Sequence, residues 1–170
     1  PLTDVASTLN KPLDDCAVLL NSARVKLLAK RVQRIWPGRD EKILTSWNAL
    51  MVKGMARAAR VFGNAEWLAS ARRALAFVRN VLWCNNRLLA TYKDGKAHLN
   101  AYLDDHAFWL DALLELMQCE FHAQDLEFAR MLAKRLLAEF EDKQQGGFYF
   151  TSHDHEKLIH RAKPAYDNAT

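Results

Sequence analysis

The chain has 170 residues, half of them hydrophobic and 26% charged. That is enough for one domain with a sizeable core, and too apolar for a disordered chain. Net charge is a mild +4, and Arg57, Arg60, Arg72, Arg73 and Arg79 are spread over helix faces instead of forming the concentrated basic patch of a nucleic-acid binder. No apolar run reaches the length of a membrane span. Pro1-Leu2-Thr3-Asp4 has neither the basic start nor the apolar core of a secretion signal. Cys16, Cys84 and Cys119 are far apart and suggest no disulfide framework. A cytoplasmic setting is the expectation, with Cys84 and Cys119 as buried free thiols.

In chain order, Pro12 and Asp14 open a helix that runs to about Ile35 and stops at Trp36-Pro37-Gly38, a clear breaker. A second helix spans about Lys42 to Phe62, closed by Gly63-Asn64, the usual helix stop. A third covers Glu66 to about Leu82. Asn85-Asn86, the apolar run 88–92 and Asp94-Gly95 then read as a small hairpin. A fourth helix spans Leu103 to about Cys119, and a fifth about Asp125 to Glu141. Gly146-Gly147 leads into a strand-like Phe148-Tyr149-Phe150-Thr151.

The third and fifth helices are one-sided and amphipathic. The second is apolar except for Lys53, Arg57 and Arg60, and the fourth except for Asp111 and Glu115. A helix apolar nearly all round is expected to be buried on most sides, which predicts burial of Trp47, Leu50, Phe108 and Leu113. An offset of 58 residues lays the second helix pair on the first, with Leu126 on Leu68, Phe108 on Leu50, and Phe148–Phe150 on Ala90–Tyr92. Repeated hairpins cannot bury their faces alone and must stack. Alternating inner and outer helices predict an all-α fold: a fragment of an (α/α) toroid, 1–170 as a single unit, with short strands in its connecting loops; a straight solenoid is the alternative. Its open edges would expose apolar faces and favour self-association.

The segment Arg39-Asp40-Glu41-Lys42-Ile43-Leu44-Thr45-Ser46-Trp47-Asn48-Ala49-Leu50 resembles a signature of the spermatogenesis-associated protein 20 family, which includes bacterial thioredoxin-domain-containing relatives. Leu103-Asp104-Asp105-His106-Ala107-Phe108, Gly146–Thr151, Arg161-Ala162-Lys163 and Tyr166-Asp167-Asn168-Ala169-Thr170 fit in family order. The resemblance implies a thioredoxin-like domain followed by a six-hairpin (α/α) toroid similar to those of glycosidases and sugar 2-epimerases. This chain would be the middle of the toroid. It has no Cys-x-x-Cys, so the thioredoxin-like part is expected to be absent. His106 departs from the Tyr more usual there.

In such toroids the loops before the inner helices line a cleft. Here they lead into Thr45-Ser46-Trp47-Asn48 and Asp104-Asp105-His106, with Trp47 equivalent to Asp105 and Asn48 to His106 in the repeat. Aromatic faces with carboxylates and amides suit a sugar, and glycoside chemistry needs two carboxylates on opposite sides of one bond. Asp105, His106 and Asp104 are therefore the catalytic candidates. Arg39, Asp40, Trp47, Asn48, Arg161, Lys163 and Asp167 are the substrate-binding ones, with Arg161 and Lys163 suited to a sugar phosphate. Helix capping competes as the role of Asp104 and Asp105, and core packing as that of Trp47. His153, His155 and His160 match no zinc spacing, so neither metal nor cofactor is expected. The expected function is a carbohydrate-active or carbohydrate-binding domain of glycosidase or 2-epimerase type, with a sugar or sugar-phosphate ligand and neither nucleic acid nor membrane as partner. The alternative is a non-catalytic helical scaffold that binds a protein.

Overall fold

The computed structural model describes residues 1–156 and 158–164. The chain forms two compact units, Pro1–Asp40 and Glu41–Thr170. The first holds α1 (Leu2–Thr8) and α2 (Leu13–Val32), which pack on each other. Ala6 and Cys16 are its buried residues.

The second unit is mostly helical with one small antiparallel sheet. It runs β1 (Ile43–Leu44), α3 (Thr45–Phe62), α4 (Ala65–Phe77), β2 (Trp83–Cys84), β3 (Arg87–Lys93), β4 (Lys96–Asn100), α5 (Leu103–Cys119) and α6 (Ala123–Glu139). Between α4 and β2 the helix continues as one wider π turn, Val78–Leu82. Gly63 takes the left-handed conformation (φ 65°) that ends α3, and Asn64 starts α4 by accepting from the N–H groups of Glu66 and Trp67 at 3.0 and 3.1 Å. Two residues thus stop one helix and start the next.

β3 is the central strand. It pairs antiparallel with β1 (Leu44 opposite Thr91), β2 (Cys84 opposite Arg87) and β4 (Lys93 opposite Lys96). Both hairpins close on two-residue turns with positive φ, Asn85-Asn86 and Asp94-Gly95, the pairs that a tight type I′ turn favours. Cys84 closes the first hairpin and is exposed, while Cys119 is half-buried, so the expectation of two buried thiols fails at the strand end. The strand expected at Phe148–Phe150 reduces to a single bridge, Glu141 to Phe148. Gly146 and Gly147, both at positive φ, turn the chain too sharply for a longer ladder.

The repeat is visible in three dimensions. Adding 58 to the first residue of α3 and of α4 gives the first residue of α5 and of α6. α3 packs on both α4 and α5, and α5 on α6. Ala49, Val52 and Ala56 of α3 meet Trp109, Ala112, Leu113 and Leu116 of α5 in the core; alanines let the helices approach and the larger partners fill the gap. The two polar stripes face each other across this seam, Lys53 to Asp111 at 2.5 Å and Arg60 to Glu115 at 3.3 Å. In the outer pair, buried Asp125 of α6 takes ion pairs from Arg72 of α4 and Arg79 of the π turn.

Of the four residues expected to be buried, Leu113 is, and Phe108 is half-buried. Trp47 and Leu50 are 65% and 47% exposed. Within Glu41–Thr170 neither α4 nor α5 covers these two side chains, so apolar periodicity alone did not predict their burial.

Candidate functional site

The N-terminal ends of α3 and α5 lie side by side. Asp105, in the first turn of α5, is buried. Its carboxylate accepts from the N–H of Tyr102 at 2.8 Å and from both the N–H and the hydroxyl of Ser46. One side chain therefore caps its own helix and reaches the first turn of the neighbouring one, where unpaired N–H groups favour a negative charge. Burial nevertheless dominates and pushes the Asp105 carboxyl up to about 6; the three donors and Asp104 act as smaller effects, the donors lowering it and Asp104 raising it.

Thr45 ties the same corner together. Its hydroxyl donates to the Leu89 carbonyl of β3 at 2.6 Å, and its carbonyl accepts the indole N–H of Trp109 at 3.0 Å. Sheet, α3 and α5 thus meet at one wholly buried residue. His106 Nδ1 lies 2.9 Å from the Tyr102 carbonyl. A carbonyl only accepts, so Nδ1 carries the proton and Nε2 is left as the acceptor. Burial first, then Arg135 and Arg87, hold the imidazole below its usual range against the opposing pull of Tyr102 and Glu139. Nearby, Arg87, Arg135, Glu139, Ser152 and Asp154 join His106 around a chamber of about 10 Å³. That is at most the room of one water and too small for a sugar.

The sequence candidates fall into three groups. Trp47, Asn48, Asp104, Asp105 and His106 gather at the shared ends of α3 and α5. Trp47 presents its indole to solvent, whereas the amide of Asn48 turns back to donate to the Leu44 carbonyl at 2.8 Å. Arg161 and Lys163 lie instead beside Tyr149, 4.1 and 4.8 Å from its ring centre. Arg161 donates to the carbonyls of Thr151 and Glu139, and Lys163 pairs with Asp142 and the Gly146 carbonyl, so their donors serve the loop after α6. Lys163 first, then the N–H groups of Gln144 and Gln145, hold the Asp142 carboxyl well below the usual carboxylate range. Arg39 and Asp40 belong to the first unit, and Asp167 lies outside the described residues. His153 pairs with Glu139, and among the described residues no three His, Cys, Asp or Glu side chains form a group that could hold a metal. Sequence reasoning placed Ser46 and Thr45 at the cleft but gave them no role, because their importance comes from contacts to residues 59 and 44 positions away.

Spermatogenesis-associated protein 20 of Homo sapiens is 32% identical to this chain over 141 residues, and that of Rattus norvegicus is 28% identical. The chain is a relative of spermatogenesis-associated protein 20. The match covers 77% of this chain but only 18% of the human protein, so the chain spans about a fifth of the curated relatives it matches. No family model matches it.

Among solved structures, cellobiose 2-epimerase from Bacillus thermoamylovorans B4167 superposes with a TM-score of 0.62 at 16% identity, over 66% of this chain and 33% of that one. The enzyme of the same name from Spirochaeta thermophila DSM 6192 gives 0.57 at 18% identity, over 64% and 28%. A D-mannose isomerase gives 0.50 at 17%, over 57% and 26%. At these identities the likeness shows the fold: stacked helical hairpins arranged as in part of a toroid-type epimerase.

Proposed function

We propose that this chain is part of a sugar-binding (α/α) toroid of 2-epimerase or isomerase type, with its cleft at the shared N-terminal ends of α3 and α5. The observation that carries this reading is the pairing of a buried, proton-retaining carboxyl with an exposed indole on adjacent helix ends. Isomerisation or epimerisation beside a carbonyl begins with removal of a proton from carbon. A group whose proton affinity lies near neutrality can take that proton and give it back, to the neighbouring carbon on the same face or to the opposite face once the bound intermediate has rotated. Asp105 is that group and also the clamp between the helices; Trp47 is the platform on which a sugar ring stacks, and Asp104 and Ser46 supply hydrogen bonds to its hydroxyls. His106, turned to the Tyr102 carbonyl and a chamber too small for a sugar, positions the first turn of α5. A glycosidase needs a second carboxylate across the bond, and the described residues of this corner supply only adjacent aspartates, so epimerase-type chemistry is favoured. The fold likeness to cellobiose 2-epimerases and a mannose isomerase supports the same choice.

The test is a thermal-shift screen of free and phosphorylated mono- and disaccharides against this chain and Trp47→Ala. A sugar that stabilises the parent and not the variant is expected. A screen in which no sugar raises the melting temperature sinks the reading. The exposed apolar face of α3 favours the second reading, a scaffold for another protein.

A further inference from the structure

Two arginines of the outer helices share one carboxylate. Arg72 of α4 and Arg79 of the π turn are two helical turns apart in sequence, so they project from one face. Both reach Asp125 in the first turn of α6, Arg72 at Oδ2 and Arg79 at Oδ1, the latter at 3.3 Å. Asp125 is buried, and both of its oxygens are taken. The other contacts of the two cations are to neutral oxygens. Arg72 Nη2 donates to the Glu120 carbonyl at 2.6 Å. Arg79 Nη2 lies 3.5 Å from the Gln124 side-chain oxygen, at the outer limit of a hydrogen bond. Arg72 Nε is buried and has no hydrogen-bond partner among the described residues, a rare condition for such a group. A guanidinium has five N–H groups to give, so this pair is short of acceptors as well as of negative charge.

The same residues line a recess of about 170 Å³, where Arg72, Arg79 and Asp125 are joined by His122 and Gln124. That is many times the room one water needs. The chamber at His106 is the informative contrast. It is also lined by two arginines, but there Arg87 has Asp154 and Arg135 has Glu139, so the charges cancel and little space is left. Only the recess at Asp125 combines space with a surplus of positive charge. We propose that this recess binds a phosphate group, gripped between the guanidiniums of Arg72 and Arg79. Each planar guanidinium can give two parallel N–H bonds to two phosphate oxygens. Asp125 fixes the spacing of the two forks while cancelling only one of their two charges. Both arginine side chains remain partly open to water, so an entering anion meets them without either helix unfolding. The site shares no residue with the corner of Asp105 and Trp47 and does not depend on a sugar binding there.

Isothermal titration of the 170-residue chain with inorganic phosphate, against sodium chloride at equal ionic strength, tests this. Saturable binding of one phosphate per chain is expected. Arg79→Gln and Arg79→Lys should each weaken it by about tenfold or more, the second because an ammonium keeps the charge but not the fork. Circular dichroism checks that the variants are folded. Arg130→Gln removes an exposed arginine elsewhere on α6 and is expected to bind like the parent, which separates a site from general attraction. Asp125→Asn carries the opposite sign. It removes the competing charge and should bind phosphate several-fold more tightly, whereas arginines that serve only to hold Asp125 predict no gain. Trp47→Ala is expected to leave phosphate binding unchanged. In that variant glucose 6-phosphate identifies the source: tighter binding than phosphate points to a phosphorylated sugar, equal or weaker binding to the free ion, and both uphold the site. Heat no different from that of chloride overturns the proposal. So does phosphate binding that survives both Arg79 variants, that is lost in Trp47→Ala, or that gains nothing in folded Asp125→Asn.

Discussion

Asp105 gains three hydrogen-bond donors on folding and still holds its proton to about pH 6, against 3.8 for an ordinary aspartate. The folded state therefore binds more protons than the unfolded state between those values, so this group's contribution to stability is full below about pH 4 and is lost as pH rises through 6. The size of that loss is about 3 kcal/mol at 1.36 kcal/mol per pH unit. Asp105→Asn removes the titration. Urea unfolding at pH 4.5 and 7.5 is expected to show the variant gaining on the parent at the higher pH, and a difference that does not change with pH contradicts the burial argument. A proton-transfer role adds a separate expectation, loss of roughly 10²-fold or more in rate once a sugar substrate is in hand. Trp109 tests the corner from the other side. Trp109→Phe keeps most of the ring but leaves the buried Thr45 carbonyl without its indole donor, and about 1–3 kcal/mol of stability should go with it. Denaturant titration reads that loss, and a change below the error of the fit removes Thr45 as the joint between sheet and helices.

Helices α3 and α5 owe their contact to small and large apolar residues matched across the seam, and the 58-residue repeat of apolar positions made their stacking legible in sequence. The polar stripes of the two helices carried no sign that they face each other, and only the structure shows Lys53 meeting Asp111 and Arg60 meeting Glu115. Helix starts were legible where a local signal exists, as at Gly63-Asn64. The start of α3 was not, because Ile43 and Leu44 pair with distant Tyr92 and Thr91 and hold extended a stretch with helical periodicity. The π turn at Val78–Leu82 left no pattern that distinguishes it from the helix before it. Burial of Trp47 and Leu50 failed because periodicity names the face that wants a neighbour but not the neighbour itself. The outer pair α4 and α6 carries its own test. Asp125→Ala leaves two guanidiniums facing each other, Arg72 and Arg79. Both reach water in part, so the cost should fall to about 2–3 kcal/mol, below the ~3–5 of a wholly buried pair. Asn64→Ala should cost about 1 kcal/mol through lost capping alone. Equal costs for the two, measured by the same denaturant series, would make the Asp125 contacts no more than surface pairing.

On the scale of the molecule, the five tryptophans report on different depths. Trp47 and Trp36 are open to solvent and Trp109 is sealed. Acrylamide is expected to quench a fast fraction of the fluorescence that shrinks in Trp47→Phe, and a sugar stacked on the indole should protect that same fraction. Protection that persists in the variant would move the binding surface away from α3. The joint at Thr45 has a further consequence in hydrogen-exchange terms. Because one residue holds β3 through its hydroxyl and α5 through its carbonyl, neither partner can lift away without unlatching the first turn of α3. Local openings that free single loops elsewhere should not reach this corner. The indole proton of Trp109 should therefore exchange only when sheet and both helices part together, at the rate of the slowest backbone amides in β3 and α5.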